Sequence, residues 1–96
     1  MVISVPTTSS SVLSLLSPAQ LQQIEDLGIV HVLQIEFQNL GGNDLYYERN
    51  AAADPSSGRK ILASTGTLSI NVSDLSKCFL ISVGATNANV RLTINN

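Results

Sequence analysis

The sequence predicts a mainly β fold: a small antiparallel β-sandwich or barrel of about six strands, preceded by an extended arm and one short helix. Three observations predict it. Short runs alternate apolar and polar residues, most clearly in Thr67–Val72 (TLSINV), where Leu68, Ile70 and Val72 share one face. Clusters of Gly, Asn, Asp, Ser and Pro separate the runs at close intervals. No helical stretch is long enough to carry a crossover between parallel strands, so the pairing is antiparallel.

Residues 1–16 are rich in Ser and Thr, carry no charged side chain, and scatter Val2, Ile3, Val5, Val12, Leu13, Leu15 and Leu16 among them. They read as an extended arm, too apolar to be an inert linker. An edge strand of the same domain would serve these residues equally well. Residues 17–28 form the next unit. Ser17-Pro18-Ala19-Gln20 reads as a capping box with proline in the first helical position, and Leu16 and Leu21 fall at the staple positions. Leu21, Ile24 and Leu27 make one apolar stripe, and Gly28 supplies the stop, which gives a helix over about residues 18–27.

The β domain spans 29–96. From Ile29 the period becomes two, with Ile29, His31, Leu33, Ile35 and Phe37 on one face. A turn cluster (residues 39–44) leads to a strand at Leu45–Arg49 that contains Tyr46 and Tyr47. A polar loop, Asn50–Gly58, precedes a short strand at Arg59–Ala63 and a turn at Ser64-Thr65-Gly66. Thr67–Val72 and the nearly continuous apolar run Phe79–Val83 flank the compact turn Ser73–Lys77. After Gly84–Asn89, Val90, Leu92 and Ile94 alternate in a closing strand.

Composition narrows the function. Charged residues make up 12% of the chain, about half the ordinary share, and Ser, Thr, Asn and Gln replace them. Such a surface suits packing against other subunits. With five basic residues and a net charge of −2, the chain offers no phosphate-binding cluster, so nucleic acid is not an expected partner. The single cysteine, Cys78, excludes an internal disulfide and reads as a buried thiol. The N-terminus has neither a basic start nor a long apolar stretch, so no signal peptide or membrane anchor is expected and the chain is expected to fold in a cytoplasm.

No catalytic constellation is legible. His31 is the only histidine and lies on an apolar strand face, and a metal site of ordinary spacing cannot be written with it. No nucleophile-elbow pattern is present. Asp44, Asp54 and Asp74 sit beside turn residues and suit turn and cap hydrogen bonding better than acid–base work. No cofactor, metal or catalytic residue is therefore expected. Tyr46 and Tyr47 point to opposite faces of a regular strand, so one of them is exposed.

From Leu33 to Asn95 the chain resembles a small β module of tailed-bacteriophage virion proteins. The resemblance rests on a strand ending Phe37-Gln38-Asn39, a strand with Leu45-Tyr46-Tyr47, and Thr67–Val72 followed by Asp74-Leu75-Ser76-Lys77. The apolar strand Phe79–Val83, Gly84 and the closing Val90-Arg91-Leu92 complete it. Tyr-Tyr-Glu-Arg stands where the family pattern has a tyrosine followed by glycines, and residues 1–28 lie outside the match. The resemblance implies a β-sandwich structural protein of the virion, made in the host cytoplasm. The expected function is a capsid decoration or cement protein on the major-capsid lattice, acting as a homo-oligomer with a trimer favoured. The alternative is a glycan- or host-surface-binding module of a tail or fibre. The residues expected to bind partners are Val2, Ile3, Val5, Val12, Leu13, Leu16, Leu21 and Ile24, with Tyr46 and Tyr47.

Overall fold

Strand alternation sorts the side chains of this chain into two facing layers. The computed structural model describes residues 1–26, 33–84 and 86–95. Within them the chain runs β1 (Val2–Val5), β2 (Ser10–Ser11), α1 (Val12–Leu15), α2 (Pro18–Asp26), β3 (Leu33–Asn39), β4 (Asp44–Arg49), β5 (Arg59–Ile61), β6 (Thr67–Val72), a 3₁₀ turn at Leu75–Lys77, β7 (Cys78–Val83) and β8 (Ala88–Asn95). One sheet has the order β1-β8-β3-β6 and the other β2-β7-β4-β5, and every adjacent pair is antiparallel.

The order has a simple logic. β1 pairs with β8, β2 with β7, β3 with β6 and β4 with β5. The chain is thus one long antiparallel ribbon doubled at the β4–β5 loop and rolled so that its strands alternate between two sheets. That is the topology of a jelly roll, the double-sheet solution in all-β architecture. Both helices lie in the β2–β3 connection.

The core is the space between the sheets. Ile3, Val5, Ile35, Phe37, Leu68, Ile70, Val72, Ala88, Val90 and Leu92 face inward from the first sheet. Leu45, Tyr47, Ile61, Cys78 and Leu80 meet them from the second, and Val12 of α1 and Leu75 of the 3₁₀ turn are buried with them. The rings of Phe37 and Tyr47 stand 6.1 Å apart at 38°, joining the layers at the centre. Each fully buried side chain of this size stabilises the fold by about 1.5–3 kcal/mol relative to exposure.

The expected sandwich is observed, with more strands than the sequence suggested. The segment expected as an arm, residues 1–16, is instead β1, β2 and α1. Val2–Val5 pairs with Val90 and its neighbours on β8, and the burial of Ile3, Val5 and Val12 draws the segment inward. The edge-strand reading of these residues is the one the structure adopts. Within α2 the capping box forms in both directions. Gln20 N donates to Ser17 Oγ (3.1 Å) and Ser17 N donates to Gln20 Oε1 (2.9 Å). Leu27, Gly28, Ile29 and His31, read as helix end and strand start, lie outside the described residues.

Candidate interaction surface

The two outer sheet faces differ in kind. On the first sheet, Gln34, Glu36, Thr67, Ser69, Asn71, Asn89, Arg91 and Thr93 are exposed and polar. On the second, β7 turns Phe79, Ile81 and Val83 outward, with Phe79 and Ile81 half-buried and Val83 40% exposed. Tyr46 stands directly across from Ile81, and Glu48 across from Phe79. Lys60 of β5 pairs with Tyr46 on its other side, and its ammonium lies 3.4 Å from Asp44 Oδ2. An apolar centre with a charged rim is the anatomy of a protein interface.

β7 explains how the surface arises. Its inward residues Cys78, Leu80 and Ser82 are buried, so the strand is apolar along almost its whole length on both sides. A run of this kind marks a strand covered on both faces. The signal is legible in the sequence as the nearly continuous apolar run Phe79–Val83, which was not among the residues expected to bind partners. Phe79, Ile81 and Val83 are the residues that expectation missed.

The ten residues expected to bind partners divide. Ile3, Val5, Val12, Ile24 and Tyr47 are buried, so they cannot contact a partner: the core takes them because each lies on the inward side of its element. Leu16 and Leu21 are half-buried beside the α2 cap, while Val2 on β1 and Leu13 on α1 are exposed. Only Tyr46 falls on the outer face of the second sheet, beside Ile81. Alternation along β4 separates it from Tyr47, as the strand period requires.

One end of the sandwich carries a groove of about 320 Å³ lined by Arg49, Asn50, Asn71, Val72, Ser73, Asp74, Lys77 and Cys78. Arg49 ties the two sheets together there. Its Nη2 donates to the Asn71 carbonyl (2.7 Å) and its Nε to Tyr47 Oη (3.3 Å). Tyr47 Oη in turn contacts Cys78 Sγ at 3.7 Å. Burial pushes both the Tyr47 phenol and the Cys78 thiol up, which keeps them protonated and the sulfur a poor nucleophile. Asp74 is held below its ordinary range by the hydroxyl and the backbone N–H of Ser76. Its carboxylate caps the 3₁₀ turn. Asp54 does the same for Ser56, and Asp44 accepts from the Ala63 N–H at 2.9 Å. Asp54 and Asp74 are occupied with their own turns, as their sequence context suggested, whereas Asp44 bonds Ala63 and Lys60 across the β4–β5 pair. Among the described residues, no cluster of His, Cys, Asp and Glu is arranged to hold a metal ion, and no helix is long and apolar enough to cross a membrane. His31 lies outside those residues.

No family model, curated protein or solved structure matches this chain. What fold and surface define together is a class: a small antiparallel jelly roll with one apolar outer sheet face.

Proposed function

We propose that this protein is a non-catalytic structural component of a tailed-phage particle, a decoration or cement protein that binds the major-capsid lattice through the outer face of its second sheet. The observation that carries the reading is the outer side of β7. Phe79, Ile81 and Val83 with Tyr46 gather apolar side chains on one sheet face, whereas the other exposed large apolar residues, Val2, Leu13, Leu40 and Leu62, belong to other segments of the chain. A lattice offers many identical sites, so modest contacts repeated by self-associated copies suffice for stable attachment. The low charge supports the same reading, because it leaves little repulsion between neighbouring copies.

The test is co-sedimentation of the purified chain with undecorated particles of its own phage, alongside Ile81→Lys and Tyr46→Ala. Both variants alter outward side chains and leave the core intact. Co-sedimentation of the wild type with at least a tenfold loss of binding in Ile81→Lys supports the assignment. Absence of the chain from purified particles, or wild-type binding by both variants, overturns it. Tyr46 beside Lys60 also gives the glycan-binding reading a foothold, since aromatic faces stack on sugars and jelly rolls include lectin domains. Glycan-array binding by the isolated chain, lost in Tyr46→Ala, would favour that reading over cement.

A further inference from the structure

The sandwich has four strand edges, and three are blunted. β1 is covered: Gln20 Nε2 of α2 donates to the outward Val2 carbonyl at 2.8 Å. β2 is only two residues long and runs straight into α1. β5 has three residues, two of them Arg59 and Lys60, so edge pairing there would bring cations together. These are the ordinary means by which edges are kept from pairing. β6 carries a single contact of this kind, from Arg49 Nη2 to the Asn71 carbonyl at its end (2.7 Å), and none of the other devices. It is six residues long, strictly alternating, free of charge and proline, and joined among the described residues to β3 alone.

Its free main-chain groups can be assigned. Asn39 N donates to the Gly66 carbonyl, which makes the Asn39–Gly66 pair a hydrogen-bonded one. Antiparallel pairs alternate, so Leu68, Ile70 and Val72 bond to β3, while Thr67, Ser69 and Asn71 turn their N–H and C=O groups outward. The Arg49 contact agrees, because its guanidinium reaches around the edge to the outward carbonyl of Asn71.

We propose that β6 pairs antiparallel with β6 of a second copy, about a two-fold axis through Ser69, to make a dimer with one continuous eight-stranded sheet. Ser69 then faces Ser69 of the partner subunit, and Thr67 faces Asn71 of the partner subunit. This register uses all three outward residues and sets apolar beside apolar on the inner face. The Asn71 carbonyl keeps Arg49 on one lone pair and accepts the new N–H on the other. Charge selects the direction. Antiparallel pairing separates the two Arg49-bearing ends by about 13 Å along the strand, whereas parallel pairing would set them side by side. A second copy is the occupant because the strand carries no charge to repel its own image, and the side chains it opposes, Ser69 to Ser69 of the partner subunit and Thr67 to Asn71 of the partner subunit, are all neutral hydrogen-bonding groups.

The axis stands perpendicular to the continuous sheet, so both copies place their second sheets on the same side. Two β7-centred faces then look toward one surface. This last consequence rests on the proposed function; the dimer does not.

Sedimentation equilibrium of the purified chain tests the pairing, with thermal unfolding measured in parallel. The wild type should have the mass of a dimer. Ser69→Pro removes an N–H that points away from β3, so the monomer should keep its fold while dimer affinity falls at least tenfold. Ser69→Lys, which opposes two cations on the axis, should do the same. Thr93→Lys, on the exposed side of the central strand β8, should remain dimeric. A monomeric or trimeric wild type overturns the proposal, and so does a folded Ser69→Pro or Ser69→Lys variant that stays dimeric. Failure of particle binding by a chain that is dimeric would overturn the proposed function alone.

Discussion

Asn39 is a polar residue with no exposed surface, and its side chain is fully used. Its Nδ2 donates to the Asn43 carbonyl (2.8 Å) and the Ile61 carbonyl (3.2 Å), and its Oδ1 accepts from Gly41 N (2.9 Å). One side chain therefore shapes the β3–β4 turn and ties it to β5. Truncation would leave those buried groups without partners. Asn39→Ala should lower unfolding free energy by about 2–3 kcal/mol in urea titration, given ~1–3 kcal/mol for an unsatisfied buried group. A loss below measurement error would show that water replaces the amide. The sequence placed Asn39 at a strand end. Alternation with Ile35 and Phe37 sets it on the inward face and Gly41 and Asn43 are close in sequence, but the bond to the Ile61 carbonyl, 22 residues away, depends on how β5 packs beside the turn.

Elements divide by the range of the contacts that define them. α2 was legible because its capping box is complete within four residues, and the reciprocal Ser17–Gln20 bonds follow from local stereochemistry. β6 and β7 were legible because period and turn chemistry are local too. β1 was not. Four residues, VISV, alternate no more clearly than a loop might, and their partner strand lies at the other end of the chain. Met1 N donates to the Leu92 carbonyl at 2.9 Å, closing the molecule end to end. Because Val5 is wholly buried against this pairing, Val5→Asp should bury an unpaired charge and unfold the chain at room temperature, read as loss of the β-sheet circular dichroism signal. Removing residues 1–16 should do the same. A folded variant would mean that β1 is a dispensable overlay.

For the whole molecule, the pattern of ionisable groups sets the pH range of stability. Asp44, Asp54 and Asp74 are held below their ordinary range by N–H and O–H donors that only the fold supplies, from Ala63 and from Ser56 and Ser76. Below about pH 4 the unfolded carboxylates take up protons first, so this stability is present above that range and lost as pH falls through the folded values. At the alkaline end the sign reverses. Burial raises Cys78 and Tyr47, so the unfolded thiol, near pH ~8.5, and the unfolded phenol, near ~10, ionise before the folded ones. Thermal unfolding should show a plateau at roughly pH 5–8 with a decline on both sides. An Asp74→Asn variant should have a shallower acid limb, and a limb unchanged by that substitution would remove Asp74 from the account.

The sequence by itself determined the class of fold, the capped helix, the turn-bound carboxylates of Asp54 and Asp74, and the buried thiol. All of these are set by periodicity and by hydrogen bonds within a few residues. It also held the trace of the apolar outer face, since the run from Phe79 to Val83 places apolar residues on both sides of β7. Tertiary structure alone decided that the first sixteen residues belong to the sandwich, that its two sheets are rolled from one doubled ribbon, and which edges are guarded. Those outcomes depend on pairings between distant segments. Their main-chain hydrogen bonds carry no mark in sequence, and only the common core they enclose chooses among them.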